Sequence, residues 1–150
     1  MTTDFEAAGR AISACRDLRY LRLGIPGFIS GREDEPARRA VLSTILRFAP
    51  RTIRVLAVRL ITRLWASKYL ELWDLPEIDD LLAPGSASMF PMLEHVEIEI
   101  DRPRHKALEE AILPILPKLR AAGLLGVTSA TVPLEREFSY HLCELECASW

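Results

Sequence analysis

His141, Cys143 and Cys147, in the stretch HLCELEC near the C-terminus, are residue types that bind metal ions. A structural zinc site needs four such ligands, usually as two close-spaced pairs. The remaining cysteine, Cys15, lies far away in the sequence with no histidine near it, so the ligand set stays incomplete. On a strand, alternation would put His141, Cys143 and Cys147 on one face, which equally describes a packed edge strand. Nucleophilic chemistry at a cysteine would need His95 or His105 and an acid to converge on it in space, a convergence that spacing along the chain does not show. Seven glycines are scattered, mostly at turns, and make no phosphate-binding loop. The pairs Asp79–Asp80 and Glu109–Glu110 fall on predicted helices and read as solvated faces. No catalytic residue, metal or cofactor is assigned, and the expectation is a protein that is not an enzyme. The alternatives left open are a small α/β enzyme of unknown reaction, or a truncated product with no function of its own.

Composition narrows the remaining classes. The chain has 150 residues, 49% hydrophobic and 27% charged, ordinary values for one domain with a real core. Nineteen basic and 21 acidic residues give a net charge of −2, which argues against general affinity for the phosphate backbone of nucleic acids. No apolar run approaches the roughly 18 residues of a membrane span. The opening MTTDFEAAGR lacks the basic and apolar regions of a signal peptide. Three cysteines cannot all pair within one chain, so reduced thiols in the cytoplasm or nucleus fit best. The expected partner is a protein, with neither nucleic acid nor membrane.

The elements follow from periodicity and punctuation. Phe5, Ala8, Ile12 and Cys15 mark one face of a helix over residues 4–15. Ala37, Val41, Ile45 and Phe48 mark a second, stopped by Pro50. LPEIDDLLAP reads as a short helix between prolines. A longer helix starts near Arg104 and carries Leu108, Ile112, Ile115 and Leu119 inward. Pro114 and Pro117 are expected to kink it, and Gly123 to end it in a left-handed conformation. Strands are expected near Leu18–Gly24, Ile53–Leu60, Leu93–Ile100 and within LLGVTSATV. Residues 1–133 make one domain, and the tail 134–150 reads as an edge strand or coil. Trp65, Tyr69 and Trp73, at four-residue spacing, either cover the end of the second unit or form a binding patch.

Three of the strands share one pattern. Leu18, Leu21 and Leu23, then Ile53, Leu56 and Val58, then Leu93, Val96 and Ile98 repeat apolar-x-x-apolar-x-apolar. Their first positions are 35 and 40 residues apart (53 − 18 and 93 − 53), a period typical of stacked repeats. The fold expected is α/β, a short leucine-rich-repeat-like solenoid with four parallel strands in the order 1-2-3-4 and helices on one face. The segments LPEIDDLLAPGSASMFPMLEHVEIEI and HKALEEAILPILPKLRAAGLLGV add a more particular likeness. A helix, an F-P-x-L lead into a strand, and a helix ending L-P-x-L-x-x-x-G before a last strand resemble the C-terminal domain of the F-box/leucine-rich-repeat-like proteins of mushroom-forming fungi. The likeness covers residues 16–130 in layout and 75–127 closely. It implies substrate recognition in an F-box-type ubiquitin-ligase receptor. The three-helix F-box has no counterpart in the first 24 residues, and the resemblance leaves open whether such a module belongs upstream.

In a one-sided sheet the leucine positions face the helices and the alternate residues face outward. That places Tyr20, Arg22 and Gly24, Val55, Ala57 and Arg59, and His95, Glu97 and Glu99 on an open face. Tyr20, Arg22, Val55, Arg59, His95, Glu97 and Glu99 are the candidate partner-binding residues. Equal spacing puts Gly24, Arg59 and Glu99 side by side, with Arg59 and Glu99 expected to form an exposed ion pair. Strands 1 and 2 would be basic and strand 3 acidic.

Overall fold

Along β3 (His95–Ile100) burial alternates residue by residue, with Val96, Ile98 and Ile100 buried and His95, Glu97 and Glu99 half-buried. In β1 (Tyr20–Pro26) Leu21 and Leu23 are buried at the matching positions, and in β2 (Val55–Ile61) Leu56, Val58 and Leu60 are; on this central strand the alternate residues Ala57 and Arg59 are buried as well. This computed structural model describes residues 2–26, 41–61, 74–85, 88–100, 105–129 and 145–148. Among the described residues five α-helices flank the strands in sequence: α1 (Thr2–Ser13), α2 (Val41–Phe48), α3 (Leu75–Leu82), α4 (His105–Ile112) and α5 (Pro117–Ala121). β4 (Leu125–Ser129) and β5 (Leu145–Ala148) complete one sheet of order β4-β3-β2-β1-β5. The first four strands are parallel neighbours in chain order, as expected, and β5 lies antiparallel on the free side of β1. Of the tail, Leu145–Ala148 is therefore an edge strand. Inward strand residues and the buried sides of the described helices, among them Ile12, Ile45, Ile78 and Ile112, make one hydrophobic cluster.

The repeat in sequence is also a repeat in hydrogen bonding. Each of the first three strands is preceded by a tight turn: Leu18 N–H donates to Cys15 O, Ile53 N–H to Pro50 O, and Leu93 N–H to Phe90 O. One carbonyl then accepts two donors from the next unit. Arg19 O accepts from Arg54 N–H and Val55 N–H, and Arg54 O accepts from Glu94 N–H and His95 N–H. Backbone donors at a turn must find an acceptor, and here the preceding unit supplies it each time.

Two helical expectations need correction. The segment after Arg104 is not one kinked helix: α4 stops at Ile112, a 3-10 turn spans Leu113–Ile115, and α5 begins at Pro117. Pro117 pushes the preceding Leu116 out of the helical region, to φ −115° and ψ 55°, and then serves as the first residue of a new helix. Gly123 does adopt the left-handed conformation, φ 69°, that ends α5. In α2 the inward stripe is Leu42, Ile45 and Leu46, continued by Ala49 just past its end, while Phe48 is 38% exposed. Phe48 lies instead against Gly9 of α1, where an added Cβ would meet the ring at 2.6 Å. Cys15, past the end of α1, is exposed.

Asp79 is the larger surprise, because it is buried and not part of a solvated face. Its carboxylate accepts from Lys118 N–H (3.0 Å) and Leu119 N–H (2.9 Å), so α3 caps the first turn of α5. The N-terminal donors of α5 lack partners in their own helix, and proline at its start prepares the site. Asp80 stays exposed and pairs with Lys118. On the other side of α3, Asp74 accepts from Ser43 N–H at 2.9 Å in α2, and Glu77 pairs with Arg47.

Burial holds the Asp74 carboxyl above its ordinary value of 3.8, with hydrogen bonds from Ser43 opposing the shift and the Glu77 charge adding to it. Folding thus favours the protonated form. The Asp74 contribution to stability is complete below the unfolded value and is lost as pH rises through the folded one. Wild type is therefore expected to lose stability relative to Asp74→Asn across the pH window just above 3.8. Urea unfolding of both proteins at several pH values checks this, and a wild type that gains on the variant would contradict it.

Candidate binding face on the sheet

The outward residues stand in the expected rows. Tyr20, Val55 and His95 are in register across β1, β2 and β3. Arg22, Ala57, Glu97 and Gly126 form the second row, and Gly24, Arg59, Glu99 and Thr128 the third. All seven candidate residues thus lie on one face. Their exposure differs from the expectation: Tyr20, Arg22, Val55, His95, Glu97 and Glu99 are half-buried, and Arg59 is only 5% exposed.

The expected ion pair is replaced by another. Arg22 Nη2 donates to Glu99 Oε2 at 2.6 Å. These residues are two strands apart, about 10 Å by ordinary strand spacing, so the bridge crosses β2. Ala57, in register with Arg22, is fully buried there, and its methyl leaves room for two long side chains to meet. Arg59 holds the outward parity of the face, so the register is right; flanked by β1 and β3 on the central strand, it is removed from water all the same. Arginine and carboxylate join across the sheet, and the face is not divided into a basic and an acidic half. Glu97 is likewise engaged, accepting from Thr128 Oγ1 at 2.9 Å. His95 covers Gly126, where an added Cβ would come within 2.9 Å of its ring.

The Arg22–Glu99 bridge is partly withdrawn from water, with side chains 28% and 13% exposed. A double-mutant cycle through Arg22→Ala and Glu99→Ala is expected to give a coupling of about 1 kcal/mol. The same cycle on the more exposed Arg47–Glu77 pair should give about 0.3 kcal/mol. Equal couplings would show that crossing over Ala57 adds nothing.

Ala57 lies on this face as expected, while Gly126 and Thr128 escaped the sequence reading as members of it. Ala57 and Gly126 carry no chemistry of their own, and their use as space for a neighbour appears only once the strands are side by side. His141 and Cys143 lie outside the described residues, as do Trp65, Tyr69 and Trp73. Cys147 is in register with Leu21 on β5. Among the described residues no group of three His, Cys, Asp or Glu side chains could hold a metal ion, and no helix is long and apolar enough to cross a membrane.

The fold and face define an α/β protein with a sequentially ordered parallel sheet and a pre-set polar row on one side of it. Comparison with protein-family models, curated proteins and solved structures returned no match for this chain.

Proposed function

We propose that this chain is a non-catalytic protein-interaction domain that reads its partner with the outer face of the sheet. The observation that carries this reading is the row Tyr20–Val55–His95, half-buried and in register across three parallel strands. Beside it the Arg22–Glu99 and Thr128–Glu97 contacts hold the polar side chains in fixed positions. An aromatic and an aliphatic residue beside fixed charges suit a protein surface, where such anchors and electrostatic fit set affinity and specificity. The recurring turn and shared carbonyl support a short leucine-rich-repeat-like stack, whose open sheet face is a common binding surface. The resemblance to the fungal F-box/leucine-rich-repeat-like proteins supports the narrower role of substrate recognition in a ubiquitin-ligase receptor. The odd number of cysteines supports a reducing compartment, the cytoplasm or nucleus.

The test is quantitative co-precipitation with wild type, Tyr20→Ala and Glu97→Lys, each checked for folding by circular dichroism. One protein retained by wild type should fall by about tenfold with either variant. Equal retention by all three would leave this face a merely solvated sheet. Reversing Arg59 is uninformative because that residue is buried.

A further inference from the structure

The repeat brings four arginines together at the base of β1 and β2, none of them among the seven candidate residues of the outer face. Thr52 Oγ1 donates to Arg16 O at 3.1 Å and to Leu18 O at 2.8 Å, which locks the turn of the second unit onto that of the first. Arg54 N–H donates to Arg19 O at 2.8 Å just beyond. Arg16 and Arg51 therefore hold equivalent places in adjacent turns, as do Arg19 and Arg54. Arg16, Arg19 and Arg51 are exposed and make no ion pair with any described residue; Arg54 pairs with Glu94 at 3.3 Å. Asp17 and Glu94 are the acids on these turns, so positive charge remains in excess. The third unit ends the cluster, because Pro91 and Glu94 stand where Arg51 and Arg54 would recur.

Like charges held side by side destabilise a fold unless something complements them. We propose that this base docks an extended, acidic segment of a partner protein. The exposed guanidinium groups of Arg16, Arg19 and Arg51, on adjacent turns set by strands about 4.8 Å apart, can each take a carboxylate through two parallel hydrogen bonds. An extended segment presents every second side chain to the same side, about 7 Å apart, a step that long arginine side chains rooted on neighbouring turns can follow. The surface is confined to two turns on a chain of net charge −2. That favours a short acidic peptide over a nucleic acid, whose backbone offers charge over a far longer track. Tyr20 and Val55 begin the outer face directly beyond Arg19 and Arg54 and offer apolar contact next to the charges. The proposal stands independently of the outer-face reading.

The test is fluorescence anisotropy of a fluorescein-labelled octapeptide of alternating Glu and Ala, titrated with the full chain at low salt. The Glu peptide should bind at least about tenfold tighter than its Gln counterpart, and Arg51→Glu should weaken it by about tenfold. Arg16→Gln with Arg51→Gln, a neutral change on exposed residues, should abolish most of the binding and keep the wild-type circular dichroism. Lys106→Glu, an equal charge change on exposed α4, should shift the Kd by less than about twofold. Four results would overturn the proposal: an unchanged Kd in Arg51→Glu, an equal loss in Lys106→Glu, tighter binding of a single-stranded octanucleotide, or tighter binding of phosphatidylserine vesicles.

Discussion

Asp79→Ala is expected to destabilise the protein by about 3 kcal/mol, a large effect for a residue that sequence places on a polar helix face. The carboxylate is buried and accepts two backbone N–H groups from the start of α5. Alanine removes both acceptors at once and strands the buried Leu119 N–H and the part-buried Lys118 N–H, and an unpaired buried donor costs about 1–3 kcal/mol. The loss also reaches Leu119, which is fully buried and belongs to the core. Asp79→Asn keeps one acceptor oxygen and should cost about half as much. Asp80→Ala, next along the chain but exposed, should cost less than about 0.5 kcal/mol. Urea unfolding of the three variants decides the matter, and a small loss in Asp79→Ala would mean that α5 is held by its apolar contacts alone.

The second large effect tests strand parity. Leu56 is 1% exposed and sits between Leu21 and Val96 on the helix side of the sheet. Leu56→Ala should cost about 3 kcal/mol through lost burial and the cavity left behind. Val55, one residue earlier and half-buried on the opposite face, should cost less than about 1 kcal/mol when replaced by alanine. A one-residue slip would exchange these two results. Comparable losses at both positions would mean that both faces of β2 are packed alike.

Strand parity and strand order were legible because both depend on a two-residue period and on equal spacing between units. Register itself followed from the 35- and 40-residue offsets: the pairs Gly24–Arg59 and Arg59–Glu99 are the observed ones. The choice of ion pair was not legible. Glu99 has Arg59 beside it and Arg22 two strands away, and the small side chain of Ala57, which gives the Arg22 bridge its room, is a property of a neighbouring strand. Asp79 was misread for a similar reason. Helical periodicity marks a polar position as outward unless a polar group of another element waits for it, and the amides of α5 are unpaired only because Pro117 restarts the helix. The F-P-x-L and L-P-x-L-x-x-x-G stretches have structural explanations in Phe90 and Leu119 in the core, Pro117 at a helix start and Gly123 at its end. They therefore speak to fold and leave function to the residues on the face.

The most direct test of partner binding at the outer face is site-specific photo-crosslinking. Benzoylphenylalanine placed at Tyr20 and, as a control, at exposed Lys106 of α4 would be irradiated in an extract of the source cells. The Tyr20 probe should yield one discrete protein adduct that disappears with Glu97→Lys in the same chain, and the Lys106 probe should not yield that adduct. The same adduct from both positions, or one from Tyr20 that persists with Glu97→Lys, would contradict a partner held on this face.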